Sequence, residues 1–146
     1  MPDDEGVWED FMRKIPDQPQ AEIVPPDHPD ARLARLSYRV IARSRGLTRL
    51  AITLETGRMH QIRLQAASRG WPIWGDYQYG AQLPYGPPEE DPRRRWIALH
   101  ARRLAFQHPM TREPVEVIAP PLICDAAVED SEVSRLKAEG NLKESR

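Results

Sequence analysis

A single cysteine, Cys124, stands in 146 residues. A disulfide framework within the chain and a cysteine-rich zinc site are therefore excluded, and a lone thiol suits a reducing cytoplasm. No apolar run nears the roughly 18 residues that a membrane helix needs. The opening Met1-Pro2-Asp3-Asp4-Glu5 is acidic and reads as neither a secretory signal nor a transit peptide. Glycine is scarce beside proline, eight against fifteen, which favours rigid connections and short strands over long helices. Internal repeats are absent. Between residues 31 and 112 lysine is absent too, and all fifteen bases there are arginine.

That last absence directs attention to charge. The net charge is −1, but its distribution is uneven. Residues 1–30 hold nine acids and two bases, residues 31–112 five acids and fifteen arginines, and residues 113–146 eight acids and four bases. A basic centre thus lies between two acidic flanks. Arginine forks match phosphate geometry and stack on bases. A solvated arginine-rich surface explains the same composition equally well, since charge asymmetry alone is only a prior for nucleic-acid binding. The length is that of one domain. Three segments are expected: an acidic, proline-rich N-terminal arm over 1–30, a folded part over 31–121 and a polar C-terminal tail over 122–146.

Hydrophobic periodicity predicts the elements. Residues 1–15 read as a short helical or irregular arm around Val7, Trp8, Phe11 and Met12. Alternation predicts strands over Leu36 to Arg43 and Leu47 to Glu55, joined by a turn at Ser44-Arg45-Gly46. Met59 to Arg69 reads as a helix, with Met59, Ile62 and Ala66 at helical spacing and Gly70 as its stop. Trp71 to Trp74 reads as a short buried strand, residues 80–95 as a long loop, Trp96 to His108 as a strand, and Pro114 to Ile118 as its returning partner. The class expected is α+β, with a mostly antiparallel mixed sheet and few helices.

The densest chemistry lies in Thr56-Gly57-Arg58-Met59-His60-Gln61-Ile62-Arg63. A strand ends, a glycine permits the turn, and a helix opens with Arg, His, Gln and Arg. Backbone N–H groups at a helix N-terminus attract anions, and His60 and Arg63, three apart, share a helix face. Spacing alone fits an ordinary strand–helix junction with solvated arginines better than a binding site.

Leu54 to Arg63, LETGRMHQIR, resembles the third motif of the RluA-type pseudouridine synthases, which isomerise uridine in RNA. The likeness continues in order. Gly70-Trp71-Pro72-Ile73-Trp74-Gly75-Asp76 with Tyr79-Gly80 resembles that family's G-x-P-I-x-G-D…Y-G stretch. Leu99-His100-Ala101, then Leu104, Phe106, His108-Pro109, Thr111 and Glu113, resembles its L-H-A…L-x-F-x-H-P-x-T-x-E stretch. Ala119-Pro120-Pro121 resembles its closing A-P-x-P, and Gly6-Val7-Trp8 with Asp10 its eG-x-W-x-D. One such motif is weak; several in register over residues 5 to 121 are strong.

The resemblance implies the C-terminal half of the pseudouridine synthase fold, an RNA partner of rRNA or tRNA class, and no cofactor, metal or membrane. It makes Arg63 the arginine that pairs with the family's catalytic aspartate and keeps it ionised. That aspartate belongs to an H-R-L-D motif which does not occur here; Arg35-Leu36-Ser37 is the nearest string. Arg63 is therefore expected to lack its partner. Asp76 and Glu55, the only acids between residues 31 and 88, read as structural. Candidate RNA contacts are Arg58, His60, Gln61, Arg93, Arg94 and Arg95. His28, His60, His100 and His108 lack the spacing of a zinc site, and Trp71 and Trp74 fit a core better than a base-stacking platform. Three readings remain open: a truncated synthase that is inactive alone, a split enzyme whose N-terminal half is a second chain, and a non-catalytic RNA-binding or structural remnant.

Overall fold

A computed structural model describes residues 3–120; the expected tail over 122–146 lies outside them. Eight elements follow in order: β1 (Glu5–Lys14), β2 (Ala21–Ile23), β3 (Arg32–Ser44), β4 (Leu47–Leu54), α1 (Gln61–Ser68), a 3-10 turn at Tyr77–Tyr79, β5 (Arg103–Gln107) and β6 (Pro114–Ile118). β1 to β4 form one antiparallel sheet in the order β2-β1-β3-β4, and β5 and β6 form a separate antiparallel hairpin. Strands thus dominate, with α1 as the one α-helix among the described residues. It is too short to cross a membrane.

β1 corrects the expectation of a helical or irregular segment over residues 1–15. It pairs with β3 from Glu5↔Arg39 to Met12↔Arg32. Trp8 and Met12 are buried on the helix-covered face, whereas Val7 is exposed and Phe11 half-buried on the other. Apolar residues on both faces of a strand blur its two-residue period, so 7, 8, 11 and 12 imitate helical spacing.

The β3–β4 hairpin forms as its sequence indicates. Ser44 pairs with Leu47, and the two residues between them, Arg45 and Gly46, both have positive φ, 51° and 80°. A two-residue turn of that kind matches the twist of the strands it joins. A bulge between Val40 and Ala42 re-registers the pair near that end.

The core lies between this sheet and α1. Trp8, Leu36, Tyr38 and Ala66 form one buried cluster, with Leu50, Ile52, Ile62, Trp71 and Ile73 packed on it. Met12, Ala21 and Ala34 form a second, closed by Leu64. The helix itself is less apolar than its spacing predicts. Its buried residues are Gln61, Gln65 and Ala66, and the two amides hydrogen-bond to strand carbonyls rather than packing as hydrocarbon.

Two strand expectations are corrected. Trp71 to Trp74 is irregular and half-buried, and residues 96–102 are irregular apart from one bridge between Tyr85 and Trp96. In the first segment Pro72 removes a ladder donor, and Trp71 turns in against Trp8, centroids 6.2 Å apart. In the second the Ala98 N–H donates to the Trp74 carbonyl at 2.8 Å and the Leu99 N–H to the Ile97 carbonyl at 2.7 Å. Those donors are satisfied without a strand partner.

Candidate functional site

The junction between β4 and α1 is held by Gln61. Its Nε2 donates to the Arg35 carbonyl at 3.1 Å, and its Oε1 accepts from Thr56 Oγ1 at 2.9 Å and from the Arg58 N–H at 3.0 Å. Thr56 Oγ1 in turn accepts from the Arg35 N–H at 2.8 Å. Gln61 is 3% exposed, so its amide is committed to the fold. Among the expected RNA contacts Gln61 is thus the one whose side chain is buried, with one Nε2 proton outside the bonds named. Arg58 stays exposed, with Nε donating to the Leu33 carbonyl at 2.8 Å. His60 precedes the helix in the left-handed region, φ 53°.

One turn further, Arg63 meets a different aspartate, Asp76, which the motif strings do not assign to it. Arg63 Nε donates to Asp76 Oδ2 and Nη2 to Asp76 Oδ1, both at 2.7 Å, and Nη2 also donates to Gln78 Oε1 at 2.8 Å. This is a bidentate fork on a planar carboxylate, among the stronger ion-pair geometries. Asp76 is 1% exposed and the Arg63 side chain 16%. Donating these hydrogen bonds to Asp76 raises the Arg63 pKa above its ordinary value, against the opposing effect of burial. Asp76 reaches this position because Gly75, at φ 85°, turns the chain where a Cβ would lie 2.5 Å from the Trp96 carbonyl oxygen. Sequence spacing does not reveal the pair, because its members are thirteen positions apart with an irregular segment between them. The signal available is Asp76 as one of only two acids between residues 31 and 88.

Both carboxylate oxygens of Asp76 are thus occupied by Arg63, and the residue is buried. It holds the arginine and does not face outward as a nucleophile or general base. Arg63 Nη1 carries none of these bonds.

Tyr79 completes the cluster. Arg63 Cζ sits 4.9 Å from the centre of its ring. Its hydroxyl accepts from the Ala21 N–H at 3.1 Å and lies 2.9 Å from His60 Nδ1. The Tyr79 oxygen has one proton and two acceptor sites, so this contact is compatible with either tautomer of His60. Burial lowers the His60 pKa first and the Arg63 charge second, while Asp76 opposes them. His60, Arg63, Asp76, Gln78 and Tyr79 therefore form one network from two segments of chain.

The other candidates are placed elsewhere. Arg93, Arg94 and Arg95 lie exposed in the 80–95 loop. Arg94 is 3.3 Å from Glu89, and Arg95 packs 5.5 Å from the centre of the Tyr77 ring, beside Asp76 in sequence. His100 Nε2 is 2.9 Å from the Ala119 carbonyl, and His108 Nδ1 accepts from the Met110 and Thr111 N–H groups in the β5–β6 turn. Among the described residues no three His, Cys, Asp or Glu side chains gather as a metal site. Trp71 packs near Trp8, and Trp74 lies 5.1 Å from the Tyr85 ring.

A second polar network is equally hidden from the sequence. Gln65, fully buried, donates to Asp10 Oδ2 at 2.7 Å and to the Ala34 carbonyl at 3.2 Å. Arg69 also reaches Asp10 Oδ2, at 2.8 Å, and lies 5.1 Å from the centre of Trp8. It ties the C-terminal end of α1 to β1, which fixes the helix and hence Arg63.

The chain resembles curated proteins over much of its length. It is 46% identical over 91 residues to the ribosomal large subunit pseudouridine synthase D of Vibrio cholerae, covering 57% of this chain and 28% of that protein. To the protein of the same name from Haemophilus ducreyi it is 38% identical over 122 residues, covering 79% and 36%. To the dual-specificity RNA pseudouridine synthase RluA of Pasteurella multocida it is 41% identical over 85 residues, covering 58% and 36%. The chain thus spans about a third of the length of these relatives. No family model matches it.

Proposed function

Because the matched part of the chain belongs to the RluA-type pseudouridine synthase family, we propose that it serves uridine isomerisation in structured RNA, as the C-terminal half of that fold. The observation that carries this reading is Arg63, forked by Asp76 through Nε and Nη2 at the end of the T-G-R-M-H-Q-I-R string, so that Nη1 lies outside the fork. In the isomerisation, the base leaves its sugar, rotates and rejoins through C5. Reaching it requires the uridine to leave its stack. Arg63 would hold the family's aspartate ionised and oriented. His60 and Tyr79 would line the same pocket, and Arg58 with the 93–95 loop would hold phosphates. No cofactor and no metal enter this scheme.

A carboxylate is still needed, because arginines and amides orient and stabilise but do not replace a nucleophile or base. The fold and the relatives lend no support to a separate second chain that would bring it. A non-catalytic RNA-binding role remains the alternative outcome. The test incubates residues 1–146 with unmodified rRNA and tRNA transcripts, followed by mass spectrometry of nucleosides. The chain alone is expected to form no pseudouridine. The chain fused behind an H-R-L-D-bearing segment of a relative is expected to form it. In that fusion Arg63→Ala should abolish most activity, and Arg63→Lys should restore only part, since lysine offers no planar fork. Robust activity from residues 1–146 alone, or none from the fusion, would overturn the reading.

RNA affinity offers a second, independent check. Replacing Arg93, Arg94 and Arg95 together by alanine is expected to flatten the dependence of log K on log salt, by about 0.7 for each phosphate no longer neutralised. An unchanged slope removes those arginines from the RNA face.

A further inference from the structure

Strand alternation carries a row of cations past the end of the helix. On β1 the helix-covered face runs Trp8, Asp10, Met12, Lys14, and on β3 it runs Arg32, Ala34, Leu36, Tyr38. Residues directly opposite in an antiparallel pair point to the same side. Met12, opposite Arg32, and Ala21, opposite Lys14, both belong to the buried cluster under α1. Lys14 and Arg32 therefore stand on that same face, just beyond the last buried layer, and both are exposed. The Gly57–Met59 turn closes the other side, bringing Arg58. The result is a groove lined by Met12, Lys14, Arg32, Gly57, Arg58 and Met59.

Its charge is positive. Arg13 also borders the groove but is ion-paired with Glu22, so that pair cancels. Asp30 is the one acid on the rim, against Lys14, Arg32 and Arg58. Arg58 donates from Nε to the Leu33 carbonyl, which fixes its stem, and neither terminal nitrogen takes part in that bond. At Gly57 a Cβ would meet nothing within 4 Å, so a ligand can approach the backbone there.

The groove also leads somewhere. Lys14 pairs with Ala21, whose N–H is bonded to the Tyr79 hydroxyl. That hydroxyl meets His60 and its ring lies under Arg63. One wall of the groove is therefore hydrogen-bonded to the Arg63 cluster.

We propose that this groove is a phosphate track: Lys14, Arg32 and Arg58 hold consecutive backbone phosphates of the RNA strand that presents its base to the Arg63 cluster. This rests on the RNA reading above and adds to it Lys14 and Arg32, which no motif of the sequence points to. Met12 and Met59 supply an apolar floor for ribose, while the cations supply the affinity.

The test measures binding of the full chain to a fluorescently labelled, uridine-containing RNA stem-loop by anisotropy across a salt series. The double variant Lys14→Gln/Arg32→Gln is compared with Arg45→Gln/Arg49→Gln. The second pair removes the same charge from the exposed hairpin at the far end of the sheet. Thermal unfolding of each variant confirms that both remain folded. The groove variant should lower the salt slope by about 1.4, two phosphates at roughly 0.7 each, and weaken binding at 0.1 M salt about ten- to thirtyfold. The control should change affinity by less than about threefold. Equal losses in the two variants, an unaltered slope in the groove variant, or a parent chain that binds no RNA at low salt would each overturn the proposal. Failure of the fusion to make pseudouridine is a separate result, since binding is measured without turnover.

Discussion

Asp76→Ala is expected to lower the unfolding free energy by about 3 kcal/mol, the lower end of the range for breaking a buried ion pair. The carboxylate is 1% exposed and is gripped by two arginine nitrogens at 2.7 Å. Its removal leaves the Arg63 guanidinium partly enclosed with Gln78 and the Tyr79 ring as its remaining neighbours. At 16% exposure Arg63 recovers some hydration, which is why the lower end applies. The double variant Arg63→Met/Asp76→Ala should be less damaged than Asp76→Ala alone, because no unpaired charge is left behind. Urea denaturation of the parent, the two single variants and the double variant forms a complete cycle. A loss under about 1 kcal/mol for Asp76→Ala would show that the pair adds nothing to the fold. The double variant falling further than the single one would refute the charge argument itself.

The largest loss is expected at Trp8. Trp8→Ala should cost about 3–5 kcal/mol, the usual consequence of emptying a large aromatic site. A domain's whole stability is about 5–15 kcal/mol. Trp8 is 4% exposed. It packs against Tyr38 at 4.9 Å and Trp71 at 6.2 Å between centroids, and beneath the Arg69 guanidinium at 5.1 Å. It therefore joins β1, β3, α1 and the segment that carries Asp76. Val7→Ala is the matched comparison: Val7 is next in sequence, on the open face and half exposed, and should cost under about 1 kcal/mol. Denaturant midpoints measure both, and near-ultraviolet circular dichroism reports the aromatic cluster. Equal losses at Trp8 and Val7 would mean that the helix-covered face is not the core.

Several parts of this arrangement are legible in the sequence. The β3–β4 hairpin is, since Leu50, Ile52 and Leu54 alternate and Arg45-Gly46 suits a tight turn. The helix after Gly57 is legible too, although it begins at Gln61 rather than Met59. The motif strings locate Arg63. β1 is not legible, because Val7 and Phe11 mask the alternation of Trp8 and Met12. Nor are Trp71 to Trp74 and residues 96–102. Their apolar composition imitates a strand, but Pro72, the bond from the Ala98 N–H to the Trp74 carbonyl and the tight Leu99–Ile97 turn keep the chain irregular.

The division has a physical basis. What the sequence determined by itself was local: turn chemistry, the period of β3 and β4, the arginine-rich centre, and the ordered motif strings that mark the family. Each depends on residues a few positions apart or on composition. What only the tertiary structure decided was which distant groups meet. Asp76 reaches Arg63 because Gly75 bends the chain. Gln61 turns inward because the Arg35 carbonyl, the Thr56 hydroxyl and the Arg58 N–H converge on its amide. Lys14 and Arg32, eighteen positions apart in the chain, become neighbours on one face because β1 and β3 pair in register at Met12 and Arg32. Strand register and a positive φ act through space, and neither leaves a periodic trace in the sequence.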